Sequence, residues 1–318
     1  MQKPALRDGK IVRSEDPLNL EVPFATLDSF ITPTKSFYVR SHFPIPKIDR
    51  NKWRLRVEGE VERPFEINYG QLIKLESEKI PVTLECAGNN RNFLEPKVKG
   101  VQWGLGAVGN AAWTGVPLPI LLDRAKVKPT AREVILEGAD RGKLEDPKSP
   151  AGDLNFARSI PLEKANDVLL AYKMNDVDLP PEHGFPLRAI VPGWYAMASI
   201  KWLQRIIVTD RPFNGYYQTL DYAFWERRGG NAELVALSEM QIKAEIAEPR
   251  KAKPFRQVQT CAFMVRPGRV MAKLRKSSSA PTAVRLGTKQ NYSTNRNRTR
   301  GGFGNLIGRH PRNRESRR

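Results

Sequence analysis

Cysteine is nearly missing from this chain: Cys86 and Cys261 are the two thiols in 318 residues. Two are too few for a disulfide framework, which fits a reducing compartment and makes the cytoplasm the expected location. Histidine is as scarce, with only His42, His183 and His310, and this argues against a histidine-rich zinc or iron centre. Paired-cysteine zinc spacings, a Gly-Lys-Ser phosphate loop and a Ser/His/Asp order are all absent. No run of about eighteen apolar residues is available to span a bilayer, so no membrane role is expected. The segment Met1 to Asp8 has neither an apolar stretch behind its basic residues nor a twin arginine, and no secretory signal is read there.

Acidic residues are missing from one end. Residues 249–318 hold 19 Lys and Arg against a single acid, Glu315, whereas residues 1–248 hold 34 basic and 33 acidic residues. The net charge of +19 therefore belongs almost wholly to the tail. We read 1–248 as one nearly neutral folded domain and 249–318 as a basic, disordered extension, low in apolar content and without a sustained period. Such a tail permits nucleic-acid binding whose affinity would fall steeply with salt. Dense charge with few aromatic residues is more often simply solvated, so a nucleic-acid partner is not expected.

What is present is a globular composition, 40% hydrophobic with six Trp and thirteen Phe. Residues 1–50 are proline-rich and read as irregular, with Phe37–Arg40 extended. The alternation over Trp53–Gly59 predicts a half-buried strand, Tyr69–Ser77 a short helix and Leu118–Ala125 another. Val82, Leu84 and Cys86 share one face of a strand that ends in Ala87-Gly88-Asn89-Asn90. Apolar runs at Glu133–Gly138, Val168–Met174, Leu187–Val191 and Ile200–Thr209 complete an α+β pattern with mixed or antiparallel sheets. Gly104-Leu105-Gly106-Ala107-Val108-Gly109 matches a dinucleotide fingerprint, but Trp113, Gly115 and Pro117 interrupt the helix that should follow, so a glycine-rich loop is the better reading.

Cys86 taken alone is a buried structural cysteine. Its place at a strand end beside a tight turn, with Arg91 nearby to favour the thiolate, makes it a candidate soft-metal ligand. Arg40 and Arg91, converging on one pocket, would make an oxyanion site, since each guanidinium can hold two oxygens.

Together these segments resemble the sulfite oxidase family of molybdopterin enzymes, over roughly residues 30–245. Phe37-Tyr38-Val39-Arg40-Ser41-His42-Phe43-Pro44 is similar to the family's segment with a substrate-pocket arginine, here Arg40, and a cofactor-contacting histidine, here His42. Thr83-Leu84-Glu85-Cys86-Ala87-Gly88-Asn89-Asn90-Arg91 is similar to its metal-ligand signature. That implies Cys86 as ligand and Arg91 as a second anion-binding arginine, with Asn90 where the family commonly has another arginine. Trp103 would wall the pocket, and Asp140 would contact the cofactor. His183-Gly184-Phe185-Pro186-Leu187-Arg188 and Ser199-Ile200-Lys201-Trp202 resemble the pterin-phosphate cradle, implying contacts from His183, Arg188, Ser199 and Lys201. Asp221-Tyr222 implies an active-site tyrosine, Tyr222.

The resemblance implies the sulfite-oxidase-type molybdopterin-binding fold, a molybdenum–molybdopterin cofactor and oxidation of a sulfite-like anion, with electrons passed to an external acceptor. A reductase acting on an oxyanion or sulfoxide would use the same ligands. The dimerisation domain that family members carry after this region does not read in 249–318, so a homodimer built on it is not expected.

Overall fold

In the computed structural model, residues 5–144 and 150–245 are described, so the disorder expected for 249–318 and the boundary at 248 lie outside the described residues. The chain folds as an α+β protein dominated by sheets, with few and short helices. Its first sheet is a correction to the irregular reading of residues 1–50. Leu6–Arg7, Lys10–Ser14, Asn19–Glu21 and Val39–Arg40 lie side by side in that order, all antiparallel. The signal for it was Asp8-Gly9. Both residues have positive φ, 50° and 75°, and they close a two-residue hairpin in which Arg7 pairs with Lys10.

A five-stranded sheet runs in the order Leu154–Pro161, Glu133–Gly142, Leu203–Thr209, Arg54–Gly59, Phe65–Asn68. Leu203–Thr209 and Arg54–Gly59 pair in parallel while the other neighbours are antiparallel, so the sheet is mixed. Arg54–Gly59 buries Leu55 and Val57 and exposes Arg54 and Arg56, as its alternation requires. The third sheet orders Val177–Asp178, Leu169–Met174, Val108–Pro117 and Glu78–Glu85, with Arg188–Ile190 also pairing on Leu169–Met174. The helix Leu118–Ala125 covers the core with Leu118, Leu121, Leu122 and Ala125. The helix expected over Tyr69–Ser77 stops at Leu72: Asn68 caps it reciprocally with Gln71, and the chain must turn at once to enter the strand at Glu78.

Two buried apolar clusters result. The larger packs the mixed sheet against the 118–125 helix; the smaller gathers Phe37, Tyr38, Leu84, Cys86, Trp103 and Trp113 around the third sheet. Gly104–Ala107 is a loop leading into the strand Val108–Pro117, which already holds Gly109, and this disposes of the dinucleotide reading. Buried Glu21 holds that loop by accepting from Gly104 N at 2.9 Å and Gly106 N at 3.0 Å, and it pairs with Arg13 at 2.6 Å. Gly106 is obligatory there, because a Cβ would lie 1.7 Å from the Val22 carbonyl oxygen. No helix among the described residues is long and apolar enough to cross a membrane.

Candidate active site

Between the two clusters lies a cleft whose empty space, part of it open to solvent, is about 620 Å³. The chain reaches it from seven separate stretches, at 37–42, 84–87, 140, 156, 182–188, 196–201 and 222, and Arg40, His42, Cys86, Asp140, His183, Arg188, Ser199, Lys201 and Tyr222 all line it. Arg91 and Trp103 do not. Trp103 is fully buried and contacts the ring of cleft-lining Tyr38 edge-on at 6.4 Å. Arg91 turns away to donate from Nη1 to the Val101 carbonyl at 3.0 Å, so the pair of converging guanidinium groups expected from sequence is not formed.

Cys86 follows directly on the strand Glu78–Glu85. Its N–H donates to Ala107 O at 2.9 Å, and its carbonyl accepts from Asn89 N at 2.8 Å, closing the turn. Asn89 braces that turn from inside: its side chain accepts from Ala107 N at 3.0 Å and donates to Glu85 at 3.1 Å. Asn90 sits in the left-handed region at φ 73°, which Asn tolerates better than most residues. Burial pushes the Cys86 thiol up, while Arg40, the Gly88 N–H and Arg91 pull it back. The thiolate expected from Arg91 alone is thus opposed by desolvation, and a cation in the cleft would shift that balance toward the thiolate.

Around Arg40 the polar groups form a chain. His42 Nε2 lies 2.6 Å from the Tyr222 hydroxyl, and Arg40 also hydrogen-bonds that hydroxyl. Burial holds His42 well below its usual range, and Arg40 and Lys201 add to the effect. Burial also raises Tyr222 to about 12. A neutral imidazole can accept and a guanidinium can only donate, so the order is Arg40 to Tyr222 to His42, with the tyrosine keeping its proton. Phe156 stacks on His42 at 4.1 Å and fixes the ring.

The opposite wall is cationic. Lys201 donates to Ser41 Oγ at 3.2 Å and to the Glu182 carbonyl at 2.9 Å. Arg188 donates to the carbonyls of His183 at 3.0 Å and Ser199 at 3.1 Å, and lies over Trp113. Burial pulls Lys201 well down, with Arg188 adding to it, and lowers Arg188 to about 10. Burial lifts Asp140 to about 7 against the pull of Lys201.

A raised carboxyl binds its proton more tightly folded than unfolded, so it stabilises the fold below about pH 4 and that contribution is lost as pH rises through about 7. The Asp140 contribution therefore falls between pH 4.5 and 7.5, against a rising contribution from the depressed His42 and His183, and Asp140→Asn is expected to remove the falling part and make the chain's pH slope more positive. Urea midpoints at the two pH values check it; an unchanged slope in the variant would refute the assignment.

Several buried polar atoms in this wall lack a partner among the described residues: Asp140 Oδ1, His183 Nε2 and Arg188 Nε. The Thr34 backbone takes the other His183 nitrogen, which leaves Nε2 as an acceptor facing the cleft. Orphaned groups in a buried site call for a ligand. One thiol at one end, with two cations, a hydroxyl and unpaired acceptors along the wall, suits a phosphate-bearing pterin that carries a soft metal.

Sequence reasoning missed several contributors. Tyr38 and Phe156 line the cleft, and Asn19 accepts from Ser41 N at 3.1 Å and from Arg40 at 3.4 Å. Arg158, fully buried, was missed too: it donates to the carbonyls of Tyr217 at 2.5 Å, Leu237 at 2.5 Å and Tyr222 at 3.4 Å. Of these only Tyr38 carried a signal, its place in the Phe37–Arg40 run.

The family model "Oxidoreductase molybdopterin binding domain" matches residues 42–217. The NADPH nitrate reductase of Emericella nidulans is 38% identical over 229 residues, covering 68% of this chain and 25% of that protein. The mitochondrial sulfite oxidase of Drosophila melanogaster is 38% identical over 217 residues, 66% of this chain and 36% of that protein. The chain thus spans about a quarter to a third of the length of these relatives. Among solved structures, the sulfane dehydrogenase SoxCD from Paracoccus pantotrophus superposes with a TM-score of 0.63 at 29% identity, covering 74% of this chain and 58% of that one.

Proposed function

From the premise that this chain belongs to the molybdopterin-binding oxidoreductase family, with a molybdenum–molybdopterin cofactor, we propose that it oxidises sulfite to sulfate and passes the electrons to an external acceptor. The observation that carries the reading is the placement of Cys86, Arg40 and Tyr222 in one buried cleft with the cationic wall behind them. When bound, the cofactor would supply a transferable oxygen and take up two electrons. Overall, water provides the oxygen, sulfite loses two electrons, and two protons leave.

The chain's own residues do the rest. Cys86 would hold the metal through its sulfur. Lys201, Arg188, Ser199, His183 and Asp140 would bind the pterin and its phosphate, and so fix where the metal sits. Arg40 would bind the anion with charge-assisted hydrogen bonds. The Tyr222 hydroxyl, oriented by neutral His42, would direct the anion's remaining oxygens, and the buried surroundings exclude competing water.

Replacing Arg40 by Gln is expected to raise KM for sulfite roughly ten- to hundredfold, the worth of one charge-assisted hydrogen bond. Steady-state kinetics at fixed ionic strength checks it.

The nitrate reductases among the relatives support a reductive reading of the same site, in which an oxyanion gives up oxygen. One experiment separates the two. Protein purified from a molybdenum-replete host is analysed for metal and pterin, then assayed for sulfite-dependent reduction of an acceptor dye and for nitrate- or sulfoxide-dependent oxidation of a reduced dye. Sulfite turnover is expected; turnover confined to the second assay, or protein without molybdenum, refutes the proposal.

A further inference from the structure

The strand Asn19–Glu21 is buried throughout, yet two of its three residues are polar: Asn19 is 1% exposed and Glu21 2%. Residues two apart on a strand point to the same side, so Asn19 and Glu21 share a face and Leu20 takes the other. Buried polar side chains need partners, and here the partners lead in two directions.

Asn19 leads to Arg40. The two residues pair across neighbouring strands, and the Asn19 side-chain oxygen accepts from Ser41 N at 3.1 Å and from Arg40 Nη1 at 3.4 Å. Its amide nitrogen donates to Ser14 Oγ at 2.7 Å and to the Pro17 carbonyl at 2.8 Å, which keeps the oxygen turned toward Arg40. Glu21 leads to Cys86 through one intermediate. Its carboxylate takes the N–H groups of Gly104 and Gly106, and the next residue, Val22, donates from N to Gly106 O at 3.3 Å. That loop in turn receives the Cys86 turn: Asn90 N donates to Gly104 O at 2.7 Å, Asn92 N to Trp103 O at 3.0 Å and Cys86 N to Ala107 O at 2.9 Å.

We propose that Asn19 and Glu21 are positioning residues that set Arg40 and Cys86 against each other, the first by aiming the guanidinium, the second by holding the loop on which the Cys86 turn rests. The inference rests on the reading of Arg40 as the anion's ligand and Cys86 as the metal's thiolate. Those two groups come from separate segments of the chain, and one short strand joined to both sets their separation. A misplacement of about 1 Å at such a centre can cost about a hundredfold in rate.

The test uses Asn19→Ala, Glu21→Gln and Gly104→Ala. Glutamine keeps the shape of Glu21 but turns a donor on one of the two loop N–H groups. Gly104→Ala reaches the same contact from the loop side, because the new methyl group would fall 2.7 Å from Glu21 Oε1 and 3.3 Å from Arg13 Nη2, both ends of side chains that can move aside. If Glu21→Gln fails to fold, Gly104→Ala decides that arm. In the cofactor-bound enzyme Asn19→Ala is expected to raise KM for sulfite by roughly three- to tenfold while kcat moves less than about twofold, as a loosened anion ligand requires. Glu21→Gln and Gly104→Ala are expected to lower kcat by roughly three- to tenfold with KM nearly unchanged, since they disturb the Cys86 turn and leave Arg40 in place.

In the cofactor-free chain, amide exchange separates the two arms. It should quicken by roughly three- to tenfold at Cys86, Asn90 and Asn92 in Glu21→Gln and Gly104→Ala, and at Ser41 in Asn19→Ala. Equal quickening at all four amides in every variant would mean that the strand merely stabilises the fold, and would overturn the proposal. Unchanged exchange at Cys86, Asn90 and Asn92 in the two loop-side variants would overturn it too, as would KM and kcat moving together in all three. If the wild-type protein shows no sulfite turnover, the functional reading fails, and the exchange measurement still decides the brace.

Discussion

Cys86→Ser is expected to leave a folded protein whose sulfite turnover has dropped by more than about a hundredfold, since even outer partners of metal ligands cost about 10- to 100-fold when removed. The argument has two halves. The side chain is small and 6% exposed, so exchanging sulfur for oxygen leaves almost no cavity and the unfolding midpoint should hardly move. The chemistry changes far more. A hydroxyl ionises much less readily than a thiol and is a hard donor, whereas the metal implied here favours a soft, polarisable sulfur. Metal content, turnover and thermal midpoint measured on one preparation decide the matter. Undiminished turnover in the serine variant would remove Cys86 from the site.

Arg158→Met should have the largest effect on folding, roughly 3–5 kcal/mol, because at least two buried carbonyls lose a charged donor at once and each unsatisfied group costs about 1–3 kcal/mol. The residue stands on Leu154–Pro161 and ties down Tyr217 and Leu237, which lie 59 and 79 residues further along the chain. Tyr222 rides on the segment between them, and Arg158 also lies 5.9 Å from its ring. Loss of the forked contacts should therefore release Tyr222 and depress activity as well as stability. Arg158→Lys should not restore either, since a single ammonium cannot reach two divergent carbonyls in the same way. Urea unfolding together with amide exchange over residues 217–237 measures both effects; a variant within about 1 kcal/mol of the parent, less than the loss of a single buried hydrogen bond predicts, would refute the account.

How much of this was legible depends on the range over which each residue's partners act. Arg54–Gly59, Leu169–Met174 and Leu203–Thr209 announce themselves by apolar patterning, because burial is imposed on each by its own sequence. The turn at Cys86 was readable for a similar reason, as small and amide residues follow a buried strand. Arg158 was not: an arginine within a strand reads as pointing to solvent, and only the distant carbonyls make its burial tolerable. Glu21 was hidden likewise, since its partners Gly104 and Gly106 lie more than eighty positions later. Arg91 shows a third kind of limit. Its type and place suggested an anion ligand, but its guanidinium lies against Gly88 and Gly100 and donates to the Val101 carbonyl, contacts that appear only in three dimensions.

The cleft draws its walls from residues as far apart as Phe37 and Tyr222. A ribosome delivers Arg40 and Cys86 long before Tyr222, and domains generally fold as units once their parts are available. Loading of a preassembled metal–pterin must accordingly wait until synthesis has passed position 222. The newborn polypeptide has to endure for a time as an empty receptacle, its unpaired acceptors and crowded cations exposed to whatever small anions the surroundings contain.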